Sequence, residues 1–184
     1  PVIIVACREH IEGLSRRKVE IAKYDWDNHE TSLEFLCHPF INQNSHIKDA
    51  FDSFAKKMGE AIDESLQNER ELNQLFSQEY SIENLIDIEP GESTIEMPTD
   101  KQLGISLLSY VVGCMFGRYS LSSPGLAYAG GEWEEGKYGQ FEPDTDNIIP
   151  ITDEEYLEDD IVSRLCTFLK VAFGEGTLEE NLDY

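Results

Sequence analysis

Basic residues are scarce in this sequence. Among its 184 residues, 14 Lys and Arg stand against 37 Asp and Glu, which gives a formal net charge of −23. A protein that binds nucleic acid on its own needs a basic surface against the phosphates, so this class is largely excluded. The charge does not predict disorder, because aromatic residues make up 10% of the chain and the apolar residues fall in periodic clusters.

Paired cysteines and long apolar runs are also absent. The cysteines, which form no CxxC pair, are Cys7, Cys37, Cys114 and Cys166. The last two lie in apolar helical patterns, which favours reduced, buried thiols in a cytosolic protein. The longest mainly apolar stretch, 103–117, is too short to span a hydrocarbon core of about 30 Å. We therefore expect a soluble, cytoplasmic protein with no membrane partner.

Motifs for catalysis and for metal or phosphate binding are missing. The sequence has no GxSxG elbow and no phosphate-binding GKS or GKT, and its four histidines lie in no HExxH setting. Asp144 and Asp146 resemble the start of a calcium loop, but the required Gly and distal Glu do not follow. The residues thus assign no catalytic, cofactor-binding or metal-binding site.

The charge is unevenly distributed along the chain. Residues 1–24 carry +2, residues 25–118 carry −12 and residues 119–184 carry −13. Arg16, Arg17 and Lys18 are consecutive bases and form a candidate phosphate-contact patch. Arg118 follows an apolar helical pattern, where its side chain either satisfies helix carbonyls or contacts a phosphate.

Apolar periodicity predicts a mainly α fold, with residues 1–184 as a single helical domain. An amphipathic helix is expected over 14–26, with its apolar positions at Leu14, Val19, Ile21, Ala22 and Trp26. Residues 31–41 predict a packed turn or short helix. Steps of three and four from Ile47 to Phe76 predict one long amphipathic helix, or two broken near Asn68. Residues 42–45 supply polar helix-start chemistry, and Thr94-Ile95 is a candidate short strand.

Three capping-box patterns occur in the second half, at Thr99, Thr152 and Thr177. The first predicts an apolar helix to about residue 119, expected to be the central buried element. Three small residues at intervals of four along this stretch predict close approach of another helix, and they are Ser109, Gly113 and Gly117. A further helix is expected to end at Gly174.

Residues 120–150 are rich in glycine and proline and predict a loop rather than a flexible linker. Aromatic anchors interrupt it, and they are Tyr128, Trp133, Tyr138 and Phe141. Residues 148–151 are a candidate short strand. Because a capping box begins at Thr177 and the first residue is not Met, we expect a fragment of a longer protein, with sub-segments 1–98 and 99–184.

One stretch carries a family resemblance. Residues 103–131, LGISLLSYVVGCMFGRYSLSSPGLAYAGG, resemble a segment of the adenine-specific DNA methyltransferases of BREX phage-defence systems, and the similarity continues over 141–184. Upstream, three short runs are similar to the same family: Asp25-Trp26-Asp27, ETSLEF at 30–35 and His38-Pro39. The most specific part is the run CMFGRYS at 114–120.

The resemblance implies a parent protein that transfers a methyl group from S-adenosylmethionine to adenine N6 in DNA, using a flipped base. The family's aromatic-x-Gly-x-Gly cofactor loop and its Asn-Pro-Pro-aromatic tetrapeptide are absent from this sequence. The resemblance therefore implies a non-catalytic segment, with S-adenosylmethionine bound elsewhere in the parent. Its DNA-contact candidates are Arg16, Arg17, Lys18 and Arg118.

Two functions stay open at this point. In the first, the segment is a helical scaffold or spacer between catalytic and DNA-recognition regions, with DNA reached through the parent protein. In the second, its acidic surface binds a basic partner, such as another defence-system protein, or mimics DNA. An independent hydrolase is a third, weaker class.

Overall fold

Local helix signals account for most of the architecture. The computed structural model describes residues 7–42, 44–82, 84–85 and 87–184. In these ranges the chain forms five α-helices and no β-strand: α1 (Arg8–Asp27), α2 (Ile47–Tyr80), α3 (Asp100–Met115), α4 (Ile161–Phe173) and α5 (Leu178–Asp183). The predicted mainly α fold is therefore confirmed.

The candidate strands at 94–95 and 148–151 are wrong. Ile95 is buried, but the segment around it is irregular. In the second candidate strand, Ile148 and Ile151 are 68% and 88% exposed. The carbonyl of Pro150 accepts a hydrogen bond from the N–H of Ile161 at 2.9 Å, so its partner is a helix start. Short β-branched runs without a neighbouring strand cannot form a ladder.

The chain forms two compact units. The first contains Pro1–Trp26 and Ala55–Met97, and the second contains Asp27–Phe54 and Pro98–Tyr184. The boundary after Met97 lies one residue from the predicted sub-segment boundary. The single domain over 1–184 stays a prediction, because two compact units can belong to one domain.

In the first unit, α1 packs antiparallel to α2 along a mixed face. His10 lies 2.6 Å from Glu71 and Arg17 lies 2.6 Å from Glu64, while Ile21 is the buried residue of α1. Helix α1 begins six residues earlier than predicted. The predicted apolar face is wrong in part, since Val19 is 68% exposed. The packed face instead follows positions 10, 14, 17 and 21, which lie on one side of a helix.

Helix α2 is a single unbroken helix, which decides between the two predicted alternatives. Asn68, the expected break, is buried within it. The expected cap from residues 42–45 is wrong in the described part of that stretch, and Gln43 lies outside the described residues. The N–H of Ile47 donates to Oδ1 of Asn181, on α5, at 2.8 Å. The start of α2 is thus capped across the second unit.

The core of the second unit is aromatic. The rings of Tyr110 and Tyr119 stack with centroids 5.1 Å apart, and Phe35 packs edge-on against both. Phe168 of α4 packs edge-on against Tyr110 and against Phe141. Two of the predicted aromatic anchors, Tyr138 and Phe141, are buried here.

Of the three predicted capping boxes, only the one at Thr99 forms, with Gln102 as its partner. The box at Thr152 is wrong, because α4 begins later with Asp160 as its cap. Helix α5 does begin after Thr177, but the Thr177 hydroxyl donates backwards to the carbonyl of Gly174 at 3.0 Å. Helix α4 ends at Gly174, as predicted.

The C-terminus of α3 ends in a Schellman motif, four residues before the predicted end. The N–H of Arg118 donates to the carbonyl of Gly113 at 2.7 Å, and the N–H of Gly117 donates to that of Cys114 at 3.1 Å. Gly117 has a φ of +76°, the left-handed conformation that this motif requires. The chain then turns back and places the ring of Tyr119 over Gly113.

The predicted small-residue stripe on this helix does not receive another helix. A Cβ added at Gly113 would lie 2.5 Å from Cδ2 of Tyr119, and Ser109 is exposed. The close approach is therefore made by a ring from the same turn. Gly117 lies outside the helix and faces Trp133.

Candidate functional site

The basic cluster at residues 16–18 lies on α1, and two of its three members are held by carboxylates of α2. Arg17 donates from Nε and a terminal nitrogen to the two oxygens of Glu64 at 2.6 and 2.8 Å. Lys18 pairs with Glu69. Arg16 is exposed and has no carboxylate partner among the described residues.

These pairs change the electrostatics of the cluster. Hydrogen bonding by Arg17 lowers the pKa of the Glu64 carboxyl, which keeps that partner ionised. A DNA phosphate that approached Arg17 would therefore compete with a bound carboxylate. Contact between DNA and these residues stays a prediction. Arg16 is the member that could contact a phosphate without first leaving a carboxylate.

Arg118 closes α3 with its backbone rather than with its side chain. Its N–H completes the Schellman motif, and its guanidinium carbon lies 5.3 Å from the centroid of the Tyr119 ring. The side chain is exposed and has no carboxylate partner in the described part of the chain. The expectation that the side chain satisfies helix carbonyls is wrong, while phosphate contact stays a prediction.

Helix α3 exposes an apolar stripe. Its members lie three and four residues apart, so they share one face. The α3 stripe consists of Ile105, Leu108, Val112 and Phe116, which are 57%, 51%, 38% and 40% exposed. The helix was expected to be buried on nearly all sides, and this expectation is wrong for the stripe. Since both faces of α3 are apolar, the sequence pattern could not say which one is covered.

The opposite side of α3 holds a buried histidine. Nδ1 of His38 accepts from the N–H of Phe40 at 3.3 Å, so Nε2 carries the proton and lies 2.8 Å from Oγ of Ser106. Burial lowers the pKa of His38 to about 3, although a hydrogen bond to the Leu103 backbone acts in the opposite direction. With 1% of its surface exposed, His38 is a neutral core residue.

The thiols are unpaired, as expected, and the pKa of three of them is raised. Burial raises the pKa of Cys114 to about 12, and burial together with Glu155 raises that of Cys166 to about 11. Burial also raises the pKa of Cys37. Because the thiolate is the nucleophile, a raised pKa lowers the reactivity of these cysteines at neutral pH.

The acidic residues do not converge on a metal position. In ranges 7–42, 44–82, 84–85 and 87–184, no group of three His, Cys, Asp or Glu side chains is arranged to hold an ion. Asp144 and Asp146 instead close local turns, and Oδ1 of each accepts from the N–H of Ile148. Among the described helices, none is long and apolar enough to cross a membrane.

The chain is similar to two known proteins over nearly all of its length. It is 32% identical, over 93% of its length, to the adenine-specific methyltransferase PglX of Lacticaseibacillus casei (strain Zhang). It is 30% identical, over 95% of its length, to the adenine-specific methyltransferase BrxX of Escherichia coli O9:H4 (strain HS). No protein-family model matches the chain.

The matches cover only a small part of each relative. The chain spans 15% of the length of the first relative and 16% of the second. The family resemblance seen in the sequence is confirmed. Along nearly all of its length, the chain therefore belongs to the PglX and BrxX family of adenine-specific methyltransferases, as the counterpart of one segment of those proteins.

Proposed function

We propose that this chain is a helical scaffold segment of an adenine-specific DNA methyltransferase of a phage-defence system. In this proposal the whole protein is cytoplasmic and transfers a methyl group from S-adenosylmethionine to the N6 atom of a flipped adenine. The segment sets the spacing between the catalytic and DNA-recognition regions. Its own residues hold neither the cofactor nor the target base.

The observation that carries the scaffold proposal is the α3 stripe. Its four side chains are each about half exposed on a helix whose other face is buried in the core of the second unit. Covering the exposed half of each would contribute about 3–6 kcal/mol in total, before the costs of association. A rigid helix with a second apolar face is suited to hold another domain in a fixed position.

The residues of this chain do not fit S-adenosylmethionine. The family resemblance implies that the cofactor is bound by a glycine-containing loop, and that this loop follows a strand. The described ranges contain no strand. The glycines with positive φ serve turns, as Gly117 and Gly174 do at the ends of α3 and α4.

Contact with DNA in this proposal is local and weak. With a net charge of −23, the chain repels a polyanion at long range, and salt screens this repulsion beyond about 10 Å at 0.1 M. Arg16 and Arg118 are the predicted contact residues that have no carboxylate partner among the described residues. Arg17 and Lys18 would first have to leave Glu64 and Glu69.

The test uses the full-length protein that carries this segment. The double variant Ile105→Glu/Leu108→Glu places charge on the α3 stripe without disturbing a buried residue. We expect the isolated 184-residue chain to keep its melting temperature, while the full-length variant loses adenine methylation and is cleaved faster by protease. Both losses would follow from undocking of a neighbouring domain.

Ile151→Glu is the matched control, because Ile151 is 88% exposed in the same unit and lies outside the stripe. This control should retain methylation and protease resistance. If the stripe double variant also retains both, the stripe docks nothing and the scaffold proposal fails. The acidic-interaction and DNA-mimic alternatives would then gain, and a pull-down with the whole protein's partners would be the next measurement.

A further inference from the structure

A cavity of about 710 Å³ opens beside the C-terminal end of α3. Its walls come from three places in the second unit: the cap residue of α3, the loop 128–138 and the segment 142–147. Pockets of this size hold small molecules or side chains of a bound segment. The side chains that define its chemistry are Phe116, Tyr128, Trp133, Glu135, Glu142 and Asp144.

The aromatic wall is fixed without a ligand. The rings of Trp133 and Tyr138 stack with centroids 4.6 Å apart and 9° between their planes, and Tyr128 meets Trp133 edge-on at 5.3 Å. The hydroxyl of Tyr138 donates to the carbonyl of Gly117 at 2.6 Å. A Cβ at Gly117 would lie 2.7 Å from Cη2 of Trp133, so the glycine makes room for the indole. A preorganised wall reduces the entropic cost of binding.

The remaining wall is acidic. Glu135, Glu142 and Asp144 line the cavity, and no basic residue does. The carboxylates of Glu135 and Glu142 make no hydrogen bond or ion pair with any residue in the described ranges. The nearby Arg164 donates to the backbone carbonyl of Glu142 and lies over the Phe141 ring, and its charge acts on Asp144 and Glu142 without forming an ion pair with either.

Aromatic rings and carboxylates that lack an ion-pair partner together favour a cation. Ring faces carry negative electrostatic potential, and a guanidinium stacks on them while its N–H groups reach carboxylates. Phosphate groups are disfavoured, since residues 119–184 carry a net charge of −13. We propose that this cavity binds an arginine side chain presented by a basic segment of a partner protein. This proposal does not rest on the scaffold role, although Phe116 belongs to both the α3 stripe and the cavity wall.

The cavity contains its own reporter. Trp133 lines it, and the only other tryptophan, Trp26, belongs to the first unit. In the Trp26→Phe chain, titration with a short glycine-rich peptide that carries arginine should give a saturable change in fluorescence. The same peptide with citrulline, which is the neutral isostere of arginine, should bind at least tenfold more weakly, because two charge-assisted hydrogen bonds become neutral ones.

Glu135→Gln/Glu142→Gln keeps the side-chain size and removes the two unpaired charges. It should weaken binding of the arginine peptide at least tenfold, and added salt should weaken binding to the unchanged chain. Glu154→Gln/Glu158→Gln is the matched control, because both residues are exposed in the same unit and lie outside the cavity. It should bind the peptide like the parent.

Three results would overturn the proposal. The first is no saturable signal with the arginine peptide up to millimolar concentration. The second is equal binding of the arginine and citrulline peptides, or unchanged binding by the Glu135→Gln/Glu142→Gln variant. The third is saturable binding of a single-stranded oligonucleotide together with no response to the arginine peptide, which would assign the aromatic wall to base stacking.

Discussion

Replacing Asn181 with alanine should destabilise the second unit far more than its place on a short terminal helix suggests. Oδ1 of Asn181 accepts from the N–H of Ile47 at 2.8 Å, and Nδ2 donates to the carbonyl of Ser45 at 3.0 Å. Asn181 is 6% exposed and Ile47 is 7% exposed, so water cannot easily replace these bonds. The Asn181→Ala chain would leave a helix-start N–H buried without an acceptor.

The size of the effect follows from these two bonds. An orphaned buried donor costs about 1–3 kcal/mol, and a further lost hydrogen bond costs about 0.5–1.5 kcal/mol. We therefore expect Asn181→Ala to lower the free energy of unfolding by about 2–4 kcal/mol, a large part of the 5–15 kcal/mol typical of a domain. Asn181→Asp should lose less, because it keeps the acceptor and places a negative charge at the start of α2.

Urea denaturation followed by Trp133 fluorescence in the Trp26→Phe background reports on the second unit. Glu179→Ala, an exposed change on the same helix, is the control. If the free energy of unfolding of Asn181→Ala lies within about 0.5 kcal/mol of that of this control, the long-range cap from Asn181 does not stabilise α2 and the reasoning is refuted.

Three further predictions concern the same unit. Gly113→Ala should lower the free energy of unfolding by about 1–3 kcal/mol, since the new methyl group collides with Tyr119; an unchanged urea midpoint would contradict this. Burial lowers the pKa of His38 to about 3 from an ordinary 6.5, so on acidification the unfolded chain takes up this proton before the folded chain does. The free energy of unfolding should therefore decrease as the pH is lowered from 6.5 to about 3, by up to about 1.4 kcal/mol per pH unit. His38→Asn should flatten that slope in a pH series of denaturation curves. Burial alone would raise the pKa of Asp160, but bonds from three backbone N–H groups lower it overall, so its stabilisation is present above pH 3.8 and is lost on acidification below it. In Asp160→Asn, the part of the acid unfolding transition below pH 3.8 should be shallower.

The candidate site was only partly readable from the sequence. Arg16, Arg17 and Lys18 stand out as three consecutive bases, but nothing local shows that Arg17 and Lys18 face carboxylates some fifty positions away. The sequence predicts Trp133 and Tyr138 as anchors of a loop. Their stacking around a cavity with Glu135 and Glu142 depends on how that loop folds back on the end of α3.

The helical segments and several of their ends follow from short stretches of sequence. The capping box at Thr99, the helical periodicity over 47–76 and the stop at Gly174 are local, because a helix forms bonds between residues four apart and a cap acts within one turn; that α2 runs unbroken past Asn68 is seen only in the structure. The tertiary structure alone decided which apolar face of α3 is buried and which is exposed. It also decided that α2 is capped by Asn181, 134 positions away, since such partners meet only when distant segments pack together.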